Sequence, residues 1–529
     1  MLHGHNVIGF DTTKKGTETF QSFSTLQGEI LPELFHIATD EEIKAAIAKA
    51  VAAFDIYSKT SFQQRATFLE AIAEEILLIG DPLLERTNLE TGLPLARLTG
   101  ERDRTMNQLK LFAALLREGS WADAVIDTAL PDRKPLPRSD LRRILQPVGP
   151  VVVFAASNFP FAFSTAGGDT ASALASGCPV IVKAHSSHAG TNEFMASAIQ
   201  AAAKKTGMPD GVFSSLNGEG ATLGQKLALE PAIKAIGFTG SYRAGMALYA
   251  TVTQKRKEPI PLYAEMSSIN PVVLLPETLA ARTSETAAAI AGSMTLGVGQ
   301  FCTNPGLLFV IKSRTTDAFT ESLVAALSSA ASGTMLNKAI CKSYYNDRNK
   351  TAQAKGVTQL YSGEDMSSSF KASPALLSVS ATDFMADVSL QDEVFGPCSM
   401  LVICDDKTQL EAALKTLHGQ LTGSVFGNTE ELTAYTSTID ILQQKVGRLI
   451  FNNVPTGVEV CHAMVHGGPF PSTTDARTTS VGTEAIRRFV RPVCYQDCPQ
   501  QLLPVYLQNE NEAGIMRKVN GAFTREPIV

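Results

Sequence analysis

Between residues 148 and 265 the chain alternates short, mostly apolar runs with stretches rich in small residues, and that alternation leaves few folds open. The runs at 148–156, 179–183, 211–216, 232–238 and 260–264 are apolar in succession rather than at every second residue. Strands buried on both faces read that way, whereas strands with one wet face alternate. The intervening segments, 164–177, 188–205, 220–229 and 241–253, read as helices. The expected product is a parallel sheet covered by helices on both sides. Ligands of such sheets bind at the carboxyl ends of the strands. That rule sets Asn158, Lys183, Ser186, Gly240, Ser241 and Glu265 along one rim. Gly240 and Ser241 open a helix, whose free N–H groups and dipole favour phosphate. Lys183 can reach ribose hydroxyls, although alone it reads more readily as a surface lysine at a strand end.

Upstream, residues 1–40 read as an extended arm. Thr39-Asp40-Glu41-Glu42 starts a helix with a hydroxyl cap and acids in its first turn. Further helices are expected at 61–79, from Asp81 to about Gly92, and at 101–118. The last carries Arg102, Arg104, Asn107, Gln108 and Lys110 beside Leu109, Leu111 and Phe112. It reads as a solvated amphipathic helix, or as one that sends a cation, Arg104, into a pocket for an anionic substrate. Residues 131–150, rich in Pro and Arg, read as a crossing segment and edge hairpin. Beyond Ile269 the alternation continues more loosely to about Val490, and Arg491–Tyr495 reads as a strand that pairs with a neighbouring domain or subunit.

In that second part, Gly297-Val-Gly-Gln-Phe-Cys302-Thr-Asn-Pro-Gly306 places one cysteine on a Gly-rich loop after the small, apolar helix 287–296. A cysteine so placed can attack an electrophile as its thiolate. A buried structural cysteine accounts for the stretch equally well. A thiol hydrolase would need a His or Asp partner, and no motif near Cys302 supplies one.

Bulk properties exclude several classes. The 529 residues are 44% hydrophobic with net charge −6 and no long basic run, which argues against a nucleic-acid-binding surface. The eight cysteines are scattered without CxxC or zinc-ligand spacing, so neither a disulfide framework nor a metal site is expected. Residues 1–10 lack a signal-peptide core and no stretch reaches the roughly 18 apolar residues of a membrane span. A soluble cytoplasmic protein is expected.

The order Asn158-Phe-Pro160, Lys183, Phe238-Thr-Gly-Ser241, Glu265, Gly299-Gln-Phe-Cys302 and Glu393-Val-Phe-Gly-Pro397 resembles the aldehyde dehydrogenase superfamily from about residue 8 to 495. Glu90-Thr-Gly-Leu-Pro94, Gly167-Gly-Asp-Thr-Ala-Ser172, Tyr263-Ala-Glu-Met266, Thr456-Gly-Val-Glu459 and His466-Gly-Gly-Pro469 resemble its α-ketoglutaric semialdehyde branch. A related branch oxidises fatty aldehydes with NADP, and apolar aldehydes are the alternative substrate.

The resemblance implies a Rossmann-like cofactor domain (1–130 and 148–265), an α/β catalytic domain (266–490) and a small β oligomerisation element (131–147 and 491–529). Homodimers or homotetramers follow. It implies Cys302 as nucleophile, Asn158 and the Cys302 N–H as oxyanion hole, and Glu265 as base for thioester hydrolysis. Lys183 and Glu393 would hold the riboses, Phe395 the nicotinamide, and Gly240 and Ser241 the pyrophosphate. Many NAD-preferring members carry an acid where Ser186 stands, so NADP is expected, with NAD possible. An arginine that fatty-aldehyde relatives use would match near Ala221; here Lys226 is the nearest cation. For the substrate, Arg104 is expected to meet a carboxylate beside Asn107 and Gln108, with Phe161 and Met464 lining the tunnel.

Overall fold

The computed structural model describes residues 2–528. Its first sheet has seven strands in the order Leu262–Glu265, Ala235–Thr239, Val151–Phe154, Val180–Lys183, Phe213–Leu216, Asn6–Ile8 and Asp11–Thr13. The first five are parallel, and they are the five runs read from the sequence. Their register pairs Phe154 with both Lys183 and Phe238, and Thr239 with Glu265, so these ends meet on one rim.

Successive side chains of a strand point to opposite faces, and here each face has its own core. Val151, Val153, Val180 and Val182 pack with the helices Phe62–Ile79, Leu95–Glu118, Gly168–Ser176 and Ala189–Lys205. Val152, Phe154, Ile181 and Ile236 pack instead with Asp40–Tyr57 and with Leu227 and Leu248. Two buried faces explain why the strands read as unbroken apolar runs. The helix Asp40–Tyr57 begins with a capping box between Thr39 and Glu42, as the acids after a threonine predict.

The amino-terminal arm is extended, and it adds two strands to this sheet. Asn6–Ile8 is an antiparallel strand on Phe213–Leu216, and Asp11–Thr13 pairs outside it. Buried Val7 and Ile8 cover what would otherwise be an open parallel edge.

The second sheet runs Thr358–Ser362, Ala375–Ser380, Cys398–Cys404, Leu307–Ile311, Val272–Leu274, Gln420–Phe426 and Val446–Phe451. Every pairing in it is parallel except the first. Helices Thr283–Thr295 and Arg314–Ser328 pack on one face, and Lys338–Ala352, Lys407–Thr416 and Thr436–Gln443 on the other.

A third, five-stranded sheet joins Val490–Gln496, Leu141–Pro147, Val125–Asp127, Arg517–Val519 and Ala522–Thr524. The strand near the carboxyl end thus pairs antiparallel with Leu141–Pro147 of its own chain. Val125–Asp127 belongs here rather than with the first sheet, because it pairs with residues 141–143. Among the described residues no helix is long and apolar enough to cross a membrane.

Candidate active site

The Cys302 loop leaves the helix Thr283–Thr295 through three successive left-handed residues, Gly297, Val298 and Gly299 (φ 55°, 60° and 64°). A Cβ on Gly299 would lie 2.3 Å from the Gly396 carbonyl carbon, so only glycine fits there. Val298 is β-branched, and holding it in this region costs about 1–3 kcal/mol. Asn270 fixes the far side of the loop, its Nδ2 donating to the carbonyls of Cys302 (2.8 Å) and Asn304 (2.9 Å). Asn158 fixes the near side, donating to the Gln300 carbonyl at 3.3 Å. The half-buried Cys302 therefore sits between the two sheets, facing the rim of the first.

That rim borders a cavity of about 480 Å³. Asn158, Lys183, Ser186, Gly240, Ser241, Glu265, Cys302, Glu393 and Phe395 all line it. Nine residues spread over 238 positions in the sequence are brought together.

One residue beside the cysteine escaped the sequence reading. His466 Nε2 lies 3.4 Å from the Cys302 sulfur and 2.9 Å from Glu265 Oε1. It is buried at 1% exposure, and its Nδ1 has no partner. The ring is held by its backbone: the His466 N–H donates to Thr479 Oγ1 (2.8 Å), and Ser480 N–H donates to the His466 carbonyl (2.8 Å). The partner a cysteine nucleophile needs is thus present, 164 residues downstream. His466-Gly-Gly-Pro469 marked a loop, but nothing local tied that loop to Cys302.

The charges are set by burial and by this contact. Burial first, and the Glu265 carboxylate second, push the Cys302 thiol well above its ordinary range. Burial also pushes the Glu265 carboxyl up, but His466 and the Ser480 hydroxyl outweigh it and leave Glu265 below the usual carboxylate range. The pair at rest is a thiol beside an acid already ionised, an arrangement suited to proton acceptance.

A model of the aldehyde dehydrogenase family matches residues 12–492. The chain is 49% identical to α-ketoglutaric semialdehyde dehydrogenase 2 of Azospirillum brasilense, over 98% of this chain and 99% of that protein. It is 45% identical to α-ketoglutaric semialdehyde dehydrogenase of Acinetobacter baylyi, over 99% of each. The chain belongs to the aldehyde dehydrogenase family. Its fold matches that of a betaine aldehyde dehydrogenase variant from Staphylococcus aureus in complex with NAD⁺ (TM-score 0.79, 18% identity, 95% of this chain and 97% of that one).

An aldehyde dehydrogenase takes NAD(P), and the cavity suits such a group. Lys183 is buried at 6% exposure, and its ammonium is pulled down to about 8 by burial. A buried ammonium with so little compensation fits a pair of ribose hydroxyls. Glu393 is pushed up to about 7 by burial, against the hydrogen bonds from Ser267 and the Ser268 N–H. Ser241 caps the helix Tyr242–Ala250. Ser186 is exposed at the cavity edge. Lys226, the nearest cation in sequence to Ala221, is exposed and pairs with Asp40 at 2.6 Å.

Beside Asn158 of this aldehyde dehydrogenase, the helix Leu95–Glu118 presents Arg97, Glu101, Arg104 and Gln108 as one stripe at helical spacing. Glu101 accepts the N–H groups of Phe161 (2.9 Å) and Ala162 (3.1 Å), which fixes the turn after Asn158. Arg97 donates to the Asn158 carbonyl at 2.9 Å and lies over Phe159 and Phe301. The Arg104 guanidinium lies over Phe159 and Phe163, and its Nε and Nη2 are buried without partners. Burial pulls Arg104 down, while Glu101 and Cys302 act to keep it charged.

The other substrate expectations fare differently. Met464 packs beside Phe159 and Phe163, and its sulfur meets Arg448 Nη1 at 3.9 Å. Asn107 falls off the stripe and is exposed to solvent, so it does not join Arg104. Phe161 is wholly buried in the core behind the site, not in a tunnel. Gln108 packs on Gly168, where a Cβ would lie 2.6 Å from its Nε2. Arg448, unremarked in the sequence, is a further cation whose surroundings include the Cys302 sulfur.

Proposed function

We propose that this aldehyde dehydrogenase oxidises α-ketoglutaric semialdehyde (2,5-dioxopentanoate) to 2-oxoglutarate, with NADP preferred over NAD. The observation that carries the substrate is Arg104: a half-buried guanidinium with two buried, unpartnered nitrogens, set on aromatic faces within the electrostatic reach of Cys302. An unpaired buried charge is costly, and a substrate carboxylate relieves that cost. The names of the two relatives similar over nearly their whole length support the same substrate. The stripe on Leu95–Glu118 argues against a purely apolar aldehyde, which would leave Arg104 uncompensated.

The chemistry follows from the residues. The Cys302 sulfur adds to the aldehyde carbon, and its proton passes to the Glu265–His466 pair. Asn158 Nδ2 and the Cys302 N–H stabilise the alkoxide of the thiohemiacetal; losing one such donor costs on the order of 3 kcal/mol. The nicotinamide cofactor, when bound, supplies the hydride acceptor. Glu265 then takes a proton from the water that attacks the thioester, and Cys302 leaves as thiolate. Lys183 and Glu393 would hold the ribose hydroxyls, Phe395 would serve the nicotinamide end, and Gly240 and Ser241 the pyrophosphate. We assign the protein to the cytoplasm as a homodimer or homotetramer; the strand Val490–Gln496, paired on one side by Leu141–Pro147, offers an edge for a second copy.

The test is steady-state oxidation of α-ketoglutaric semialdehyde against hexanal, each with NAD and NADP. Higher kcat/KM for the keto acid with NADP, abolished in Cys302→Ala, supports the whole reading. A preference for hexanal sinks the substrate and the role of Arg104 while leaving the reaction intact.

A further inference from the structure

Cys302, His466 and Glu265 have a second property that oxidation does not use. Their sulfur, Nε2 and carboxylate oxygen all lie within 4.8 Å of one another, and this is the one such group of three among the described residues. Thiolate, imidazole and carboxylate are the donors of three-ligand zinc sites that keep a fourth position open. With zinc–sulfur and zinc–nitrogen bonds of roughly 2.3 and 2.05 Å, a tetrahedral ion sets sulfur and nitrogen about 3.6 Å apart, and nitrogen and oxygen about 3.4 Å apart. The observed separations are 3.4 and 2.9 Å. The sulfur–nitrogen and nitrogen–oxygen pairs therefore need to spread by no more than roughly half an ångström around an ion. Moving the imidazole proton from Nε2 to Nδ1 gives up the hydrogen bond to Glu265, which the ion replaces by binding both groups, and displaces no partner at Nδ1, which has none.

We infer that Cys302, His466 and Glu265 form a site for a thiophilic divalent cation of the zinc class, whose binding reversibly switches the enzyme off. The ion displaces the thiol proton to solvent and forms a sulfur–metal bond, without oxidation or reduction. It occupies the nucleophile and the base together, so metal binding and turnover exclude each other. The inference rests on the contact geometry and stands whether or not the proposed substrate is right.

The test titrates the full-length, metal-free enzyme with cobalt(II) and records its spectrum, which needs no turnover. One cobalt per chain with a sulfur-to-cobalt band in the near ultraviolet is expected, and zinc should bleach it. Zinc should cut NADP reduction at least tenfold, and a chelator should restore it. Alkylating Cys302 in the unsubstituted protein must abolish the band. His466→Asn removes a direct ligand and should weaken cobalt binding by more than the roughly 10–100-fold typical of an outer-shell partner. A band that survives alkylation of Cys302, an affinity unchanged in His466→Asn, or no band at all overturns the inference.

Discussion

Ser480 Oγ donates a hydrogen bond to Glu265 Oε2 at 2.7 Å, while the other oxygen of the same carboxylate takes one from His466. Both stabilise the anion, and together they outweigh the burial that would otherwise protonate it. A depressed pKa keeps the base ionised as the pH falls, so the acidic limb of the hydrolytic step lies low. In Ser480→Ala one stabiliser of the anion is gone, the Glu265 pKa rises, and the limb moves to higher pH. A hydrogen bond to a charged group contributes roughly 1.5–3 kcal/mol, which is a shift of about one to two pH units. The kcat profile of Ser480→Ala against the parent checks this; coincident profiles would show that Ser480 has no hold on the base.

The same carboxylate acts on the nucleophile with the opposite sign. Burial and then Glu265 hold the Cys302 thiol high. Removing the neighbouring charge favours the thiolate, so Glu265→Gln should be alkylated by iodoacetamide faster than the parent at pH 8. The variant should also form thioester without hydrolysing it, giving a single burst of reduced cofactor and then stalling. Slower alkylation in Glu265→Gln would mean that proton acceptance by the acid outweighs the effect of its charge on the thiolate.

What the sequence made legible divides along physical lines. The five parallel strands and the rim residues were readable because two-sided burial writes unbroken apolar runs, and strand ends then locate the site. The helix at Thr39 was readable because its cap is local. His466 and Arg448 were not, because their role comes from tertiary contact alone: each lies on a loop-rich or edge segment more than 140 positions from Cys302, with no periodicity to tie it there. Asn107 and Phe161 failed for a related reason. Adjacency to Arg104 and to Asn158 in the sequence does not carry direction: one side chain turns to solvent and the other into the core.

Arg104 offers a test that separates recognition from chemistry. Its Nε and Nη2 are unpartnered, so Arg104→Met removes a charge-assisted contact to substrate without breaking a hydrogen bond at either atom, and Arg97 still faces Glu101. The loss should be about 1.5–3 kcal/mol for a substrate carboxylate, read as a roughly 10–100-fold rise in KM for α-ketoglutaric semialdehyde. Hexanal has no carboxylate, and its kcat/KM should hold or improve. Equal losses for both substrates would place Arg104 in the architecture of the Phe159 and Phe163 wall instead.

Ser186 tests cofactor choice. It is exposed at the cavity edge, three residues beyond the buried Lys183, with Glu219 contributing the nearby negative charge that Lys183 feels. A carboxylate at 186 would face the 2′-phosphate that distinguishes NADP from NAD. Two like charges about 4 Å apart repel by roughly 1 kcal/mol in water and about 4 kcal/mol at the effective dielectric of a protein surface. Ser186→Glu should therefore cut kcat/KM for NADP at least tenfold relative to NAD, since a carboxylate there can still accept a ribose hydroxyl. Steady-state kinetics with both cofactors at a fixed aldehyde concentration decide it. Parallel losses would remove Ser186 from the adenosine end, and an unchanged ratio would leave the preference to a different part of the rim.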